Sequence, residues 1–543
     1  MPMNTTPPHI EIQAQHRAMR LFLFCCGLIL FVTMPNSITP GDCYASRAEA
    51  ANLVMTGQWG IDYARKAEVA LFIEKRGEYF FENDSKERLF NKWGIMNTIL
   101  YLPPMLATRL FAGSVGLVDQ STAHLFFVNC NNVLLSMVIL WYLDKIISLY
   151  TSRIRQRMLF ITLAVFTTYL WFHLRAQMHE IFQVAMAVGF LYHYLTFLRA
   201  ARTSDTVSRW RHLTLAIFWS GLLLLTKALF LTVFASAWLF AWLAGPGGLP
   251  LAGRLRHNLS TNLPRHLAHL LLPTVAVLAV FLAVNQYKTG SPFDMGYSQE
   301  TFTGVNEISF SPRVLLESIP GFLLLPGNAN VFLHFPLLIL ALFGCRSFSR
   351  RWPQEAAFLL FTVLSNFLVI GCYQTWRGEW TDGPRYLIIF AVMASLPAIE
   401  TIASIAKQLT NRLILAGAGL FATLSLWSLA MQIADNSMEN FSFYYYEGFF
   451  EQFHDPEVDS YFKHYSTKGA IYYDILAFKY GGKPFYPIEV LMQKHPEWPP
   501  EDRERLAAGV RMGARPNYFF VRLLLSGQSS KDKINAPPSA TNG

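Results

Sequence analysis

The sequence predicts an all-α polytopic membrane protein: a bundle of about eleven transmembrane helices, twelve on a second count, with a long first outer loop carrying juxtamembrane helices. Three observations predict it. Hydrophobic residues make up 52% of the 543-residue chain and charged residues only 15%, against about a quarter in soluble domains. Apolar runs of roughly 15 to 22 residues recur along most of its length. The basic residues gather in alternate short connections, which is the orientation signal of a membrane protein. That placement makes the formal net charge of +9 a topological signal, and no nucleic-acid partner is expected.

Taken in order, the spans are expected at 21–38, 123–143, 158–174, 181–198, 213–226, 229–244, 267–286, 329–345, 355–373, 386–402 and 412–432. Residues 1–20 are polar and the first apolar run has no small-residue cleavage site, so no removable signal peptide is expected. One further stretch, Trp93 to Phe111, is decided by charge. If it does not cross, eighteen loop and terminal basic residues fall on one side, against six (Arg175, Lys227, Lys288, Arg313, Arg377 and Arg385) on the other. If it crosses, the bias inverts. Its Pro103–Pro104 pair argues against a straight spanning helix, and Asn91, Lys92 and Arg109 suit an interfacial or re-entrant position. An ordinary twelfth helix is the plainer alternative.

This topology puts the N-terminus in the cytoplasm and 39–122, 174–180, 287–328, 374–385 and the tail from 433 outside. The chain divides into a transmembrane unit, 1–432, and a C-terminal tail, 433–543, which has one amphipathic helix candidate near Pro500–Met512 and is expected to be disordered from about 526. The six cysteines show no metal-binding spacing, although Cys43 and Cys372 would both face the outer side, where a disulfide can form.

The polar residues that need a reason lie mostly outside. Asp42 follows the first span within a few residues; an N-cap accounts for it, and so does the role of an acid/base group. Lys92 is either a snorkelling anchor or a partner for a lipid phosphate. Glu180 suits a helix N-terminus, while His179, near Arg175, is placed to bond a phosphate or a sugar hydroxyl. Lys227 stands between two apolar runs, where a cation needs a partner, water or headgroups. In WRGEWTDGPRYL, Arg385 opens a span behind Gly-Pro, a setting for bidentate phosphate recognition, and Arg377 is a second candidate. Tyr297 sits in a Gly/Pro-rich loop that reads as a substrate cover or a plain connector. The topology places Asp42, Lys92, His179, Lys227 and Arg385 on one face. Several cations and one carboxylate at one membrane surface suit a phosphate-bearing amphiphile.

At these residues the chain resembles the GT-C superfamily of integral-membrane glycosyltransferases, near the bacterial aminoarabinose transferases and protein O-mannosyltransferases. GDCYASRAEAANLVMTGQW is similar to the family's first outer loop, NKWGIMNTILYLPPML to its Lys-Tyr-Gly…Leu-Pro stretch, and LLLTKALF to its Thr-Lys motif. NQYKTGSPFDMGY and WRGEWTDGPRYL resemble two later outer segments, so the likeness runs in order over roughly 20–400. The resemblance implies a GT-C-type bundle whose 1–432 unit is catalytic, and a polyprenyl-phosphate-linked sugar as donor. It implies a glycan, lipid or protein hydroxyl as acceptor, on the outer face of a bacterial inner membrane. It carries the catalytic role to Asp42 and donor-phosphate binding to Lys92, Lys227 and Arg385. Relatives usually place Glu after the Asp; here Cys43 stands there, with Glu49 two turns on. That departure leaves a divalent metal ion open, with Glu49 and His179 as candidate ligands. An O-antigen ligase or polymerase, or a lipid-linked sugar transporter or flippase, are the alternatives. A ligase relies on a large late outer loop, and a flippase needs polar groups through mid-span.

Overall fold

The computed structural model describes residues 8–35, 42–69, 80–117, 121–175, 178–203, 206–246, 249–294, 311–324, 330–373, 376, 384–408 and 412–437, with 496–497, 500 and 518–520 from the C-terminal part. The expected helix at Pro500–Met512 and the region beyond 526 lie outside the described residues.

Helix α1 (Pro8–Val32) leads to α2 (Asp42–Thr56), then to three short strands, β1 (Ile61–Asp62), β2 (Phe80–Asn83) and β3 (Arg88–Asn91). There follow α3 (Ile95–Ala112), α4 (Thr122–Ser148), α5 (Ile154–Phe166), α6 (Leu170–Arg175), α7 (His179–Thr203), α8 (Thr206–Leu224), α9 (Leu231–Leu243), α10 (Leu251–Thr261) and α11 (Leu263–Thr289). The rest is α12 (Leu315–Leu323), α13 (Val331–His334), α14 (Leu337–Arg351), α15 (Pro353–Gly371), α16 (Ile388–Ser395), α17 (Ala398–Gln408) and α18 (Arg412–Ser437). Helix α7 is the central one: most of its length is buried, and α4 and α8 flank it.

Among the described residues, five helices (α1, α4, α7, α11 and α15) are long and apolar enough to cross a membrane, and α16 with α17 makes a sixth if a 45° bend is counted within one span. The protein is a multi-pass membrane protein. About eleven spans, twelve on a second count, were expected, and several of the expected runs are broken. The 158–174 run is split into α5 and α6 at Thr167–Tyr169, and the 329–345 run into α13 and α14 at Phe335–Pro336. The bend between α16 and α17 falls at Leu396–Pro397. Proline lacks the N–H that continues a helix, which accounts for the last two breaks.

The expectation that Pro103–Pro104 breaks its segment is also corrected: α3 runs through both. Pro104 has no N–H for the carbonyl of Leu100, and Asn131 on α4 supplies one instead, its Nδ2 donating to Leu100 O at 3.1 Å. Helix α3 is not among the five spanning candidates, and it packs on α2 and α4.

The stretch between α1 and α4 is not purely helical, contrary to the all-α expectation. The three strands form an antiparallel sheet in the order β1-β3-β2, with Ile61 opposite Leu89 and Phe81 opposite Phe90. All six cysteines are free, so no Cys43–Cys372 disulfide is present.

A buried polar knot ties this loop to the helices. Glu49 of α2 is fully buried and accepts hydrogen bonds from the backbone N–H of Asn91 at 3.2 Å, from Asn91 Nδ2, and from Thr98 Oγ1 at 2.7 Å. Lys288, at the end of α11, donates to the carbonyls of Asn91 and, at 3.1 Å, Trp93. Asn83 Nδ2 donates to Lys288 O at 2.7 Å. Asn91 is thereby held on both backbone polar groups. Glu49→Ala removes the shared acceptor of Asn91 N–H, Asn91 Nδ2 and Thr98 Oγ1 and the carboxylate near Lys288, so it is expected to lower stability by about 3 kcal/mol or more, read as a fall in melting temperature of the detergent-solubilised protein. Asp42→Asn, measured beside it, is expected to melt as the parent does.

Candidate functional site

The knot matters because the residue after Asn91 is Lys92. From there the chain turns through Trp93 and Gly94 into α3 and lands on the C-terminal end of α8. Met96 N–H donates to Leu225 O at 3.2 Å, and Asn97 Nδ2 to Thr226 O at 2.9 Å. The approach is close: a Cβ on Gly94 would meet Leu225 O at 2.0 Å. Residue 227 follows directly, so this docking brings Lys92 and Lys227 together from two distant parts of the chain. Lys92 Nζ lies 4.6 Å from the centroid of the Trp93 ring and Lys227 Nζ 5.8 Å from the same ring. Both lysines line one cavity with Trp93, Lys288, Asn285 and Phe281.

Arg385 reaches the cluster from the far end of the sequence. It opens the turn leading into α16, directly after Pro384, whose carbonyl accepts from the Tyr169 hydroxyl at 3.4 Å. Tyr386 joins the two cations: Lys227 Nζ lies 4.1 Å and Arg385 Cζ 5.1 Å from its ring centroid. Arg385 Nη2 donates to the Tyr386 hydroxyl at 3.4 Å, and Nη1 lies 4.0 Å from Glu180 Oε1.

His179 and Glu180 open α7 and are buried. The His179 ring lies 6.0 Å from Trp93 and 6.3 Å from Tyr101, centroid to centroid. Tyr101 in turn links this corner to α2, because it is hydrogen-bonded to Cys43, the residue after Asp42. Tyr101 therefore stands between the first turn of α2 and the start of α7. Asp42 itself opens α2, and its side chain lies outside the described residues.

Lys92, His179, Glu180, Lys227 and Arg385 are thus brought to one corner through Trp93, Tyr101 and Tyr386. Tyr297 and Arg377 lie outside the described residues. Glu49, a candidate metal ligand from the sequence, has both carboxylate oxygens engaged by Asn91 and Thr98 in the knot described above. Among the described residues, no group of three or more His, Cys, Asp or Glu side chains is arranged to hold a metal ion.

Sequence reasoning assigned no role to Lys288, Trp93, Tyr101 or Tyr386. Lys288 carried a signal, an ionisable residue at the end of a long apolar run. The aromatic residues did not stand out in a chain with 15% aromatic content.

Chemically the corner gathers cations with aromatic rings between them. Ammonium groups over an indole or phenol gain from the ring quadrupole, but like charges this close repel and half-buried charges are costly. An anion in the cavity offsets both costs, and a phosphate oxygen is within the chemistry of lysine and arginine alike.

No family model matches the chain, and no curated protein matches it in sequence. Among solved structures it is similar to ArnT from Cupriavidus metallidurans bound to undecaprenyl phosphate, at 12% identity and a TM-score of 0.43, over 77% of this chain and 70% of that one. It is also similar to the Archaeoglobus fulgidus oligosaccharyltransferase in the apo form, at 12% identity and a TM-score of 0.42, over 82% of this chain and 59% of that one. The AglB oligosaccharyltransferase of the same organism, in complex with an inhibitory peptide and a dolichol-phosphate, gives 12% identity and a TM-score of 0.41.

Gly94→Ala is expected to push the Asn91–Gly94 turn off α8, costing about 1–3 kcal/mol by overpacking. Thermal unfolding in detergent checks the cost. Faster hydrogen–deuterium exchange at Met96, whose N–H donates to Leu225 O, checks the displacement.

Proposed function

We propose that the chain is a GT-C-type glycosyltransferase that moves a sugar from a polyprenyl-phosphate donor to an acceptor hydroxyl on the outer face of a bacterial cytoplasmic membrane, with inversion. The observation that carries this reading is the meeting of Lys92, Lys227 and Arg385 around Trp93 and Tyr386, beside a cavity in a membrane protein. A membrane-embedded phosphate is the ligand that such a set fits.

In this reading Lys92 and Lys227 flank the donor phosphate and Arg385 binds it from the α16 side, oriented by Glu180. Asp42 is the general base. It takes the proton of the acceptor O–H while the acceptor oxygen forms its bond to the anomeric carbon. The bond from that carbon to the phosphate oxygen breaks on the opposite face, and polyprenyl phosphate leaves with the bonding pair. Charge grows on the departing phosphate as the bond breaks, so cations already in place stabilise the transition state more than the ground state. His179, packed against Trp93 and Tyr101, is placed to bond the sugar or acceptor hydroxyls.

The test has two arms. In a strain lacking the protein, mass spectrometry is expected to find a polyprenyl-phosphate sugar accumulating. Complementation with Asp42→Asn is expected to leave it accumulating, with turnover down by about two orders of magnitude or more, although the variant inserts normally. Full complementation by Asp42→Asn removes Asp42 as the base. Arg385→Ala is expected to weaken undecaprenyl phosphate binding about tenfold or more while changing acceptor dependence less; equal effects on both count against a phosphate role.

A further inference from the structure

Where α1 ends, three successive backbone carbonyls are each taken by a different, distant part of the chain. Arg175 Nε, at the end of α6, donates to Thr33 O. The backbone N–H of Phe519 donates to Met34 O at 2.8 Å. Asn129 Nδ2, in α4, donates to Pro35 O at 2.8 Å. These carbonyls stand just before the connection that delivers Asp42 to the start of α2. Carbonyls past a helix end need partners, and water usually supplies them. Here protein groups do so at every one of the three.

The middle clasp comes from the C-terminal tail. Phe519 is buried in a small apolar cluster with Met34, Leu125 and Tyr44, and Tyr44 is two residues past Asp42. Phe520 packs on Phe31 with ring centroids 5.2 Å apart, and Phe519 on Phe126 at 5.8 Å. The Arg175 guanidinium, which holds the first carbonyl, lies 5.3 Å from the Tyr518 ring centroid. The segment is therefore bonded to the end of α1, shares one apolar cluster with the first turn of α2, and lies beside the arginine that makes the neighbouring clasp.

We propose that Tyr518–Phe520 is a positioning element for the start of α2, the helix that Asp42 opens: the segment packs with the end of α1 at Phe31 and Met34 and shares an apolar cluster with Tyr44 in the first turn of α2. This rests on the reading of Asp42 as the base. The two ideas separate experimentally, because the pinning is read from the backbone and the catalytic role from turnover. In this proposal the segment acts through α2, and the phosphate grip stays with Lys92, Lys227 and Arg385.

The test uses the full chain in lipid nanodiscs. Phe519→Pro deletes the N–H that holds Met34 O; Phe519→Ala keeps it and removes the ring; Phe519→Leu restores an apolar side chain. Hydrogen–deuterium exchange is expected to show uptake across 33–45 rising about twofold or more in Phe519→Pro and Phe519→Ala, with α7 and α11 unchanged, and falling back in Phe519→Leu. Turnover of the lipid-linked sugar that accumulates without the protein is expected to fall about tenfold or more in Phe519→Pro, while undecaprenyl phosphate affinity stays within about twofold of the parent. Unchanged exchange across 33–45 in Phe519→Pro and Phe519→Ala overturns the pinning. Raised exchange with parental turnover overturns the positioning role, and a matched fall in turnover and phosphate affinity reduces the segment to a general stabiliser. Full activity in Asp42→Asn overturns the base assignment, whatever the exchange result.

Discussion

The site depends on one buried carboxylate. Glu49 stands with no solvent exposure at the junction of α2, β3 and α3, and a charge there is tolerable only because Asn91 and Thr98 donate to it and Lys288 lies near. The arrangement is expensive to take apart, which is why it fixes a geometry. It holds Asn91 by its side chain and its N–H, and Lys288 holds the same residue by its carbonyl. The next residue is Lys92, so the knot fixes the backbone directly beside that cation. From that point the turn through Gly94 onto Leu225 carries the order across to Lys227.

The cations and the aromatic rings do different work. Trp93 and Tyr386 keep Lys92, Lys227 and Arg385 apart while giving each ammonium or guanidinium a favourable π-face. Glu180 balances part of the charge at 4.0 Å from Arg385. In the function proposed above, the lipid phosphate adds an anion to this cluster. The tail contributes at the other end of α2, where Phe519 and Arg175 hold the exit of α1.

Much of this was legible in the sequence, for a physical reason. Lys92, Lys227 and Arg385 border apolar runs, where a cation is costly and so conspicuous. Charge asymmetry between loops is a sum over the whole chain, and from it these residues were expected on one face. What was illegible depends on partners that a one-dimensional reading cannot supply. Lys288 looked like another outer cation, yet its ammonium is bound to two backbone carbonyls. Pro103–Pro104 looked like a helix break, yet Asn131, far along the chain, satisfies the carbonyl that Pro104 leaves open. The strands were missed because the longest are four residues, too short for an alternating pattern to declare itself. Glu49 read as a metal ligand because an acidic residue on a helix gives no sign of which donors it will face.

The most direct measurement is an electron cryomicroscopy structure of the full chain in nanodiscs containing undecaprenyl phosphate. The account predicts density for the phosphate in the cavity beside Trp93, its oxygens about 2.7–3.2 Å from Lys92, Lys227 or Arg385 nitrogens, with Asp42 facing the same space. Phosphate density elsewhere, or a cavity left empty at saturating lipid, contradicts it.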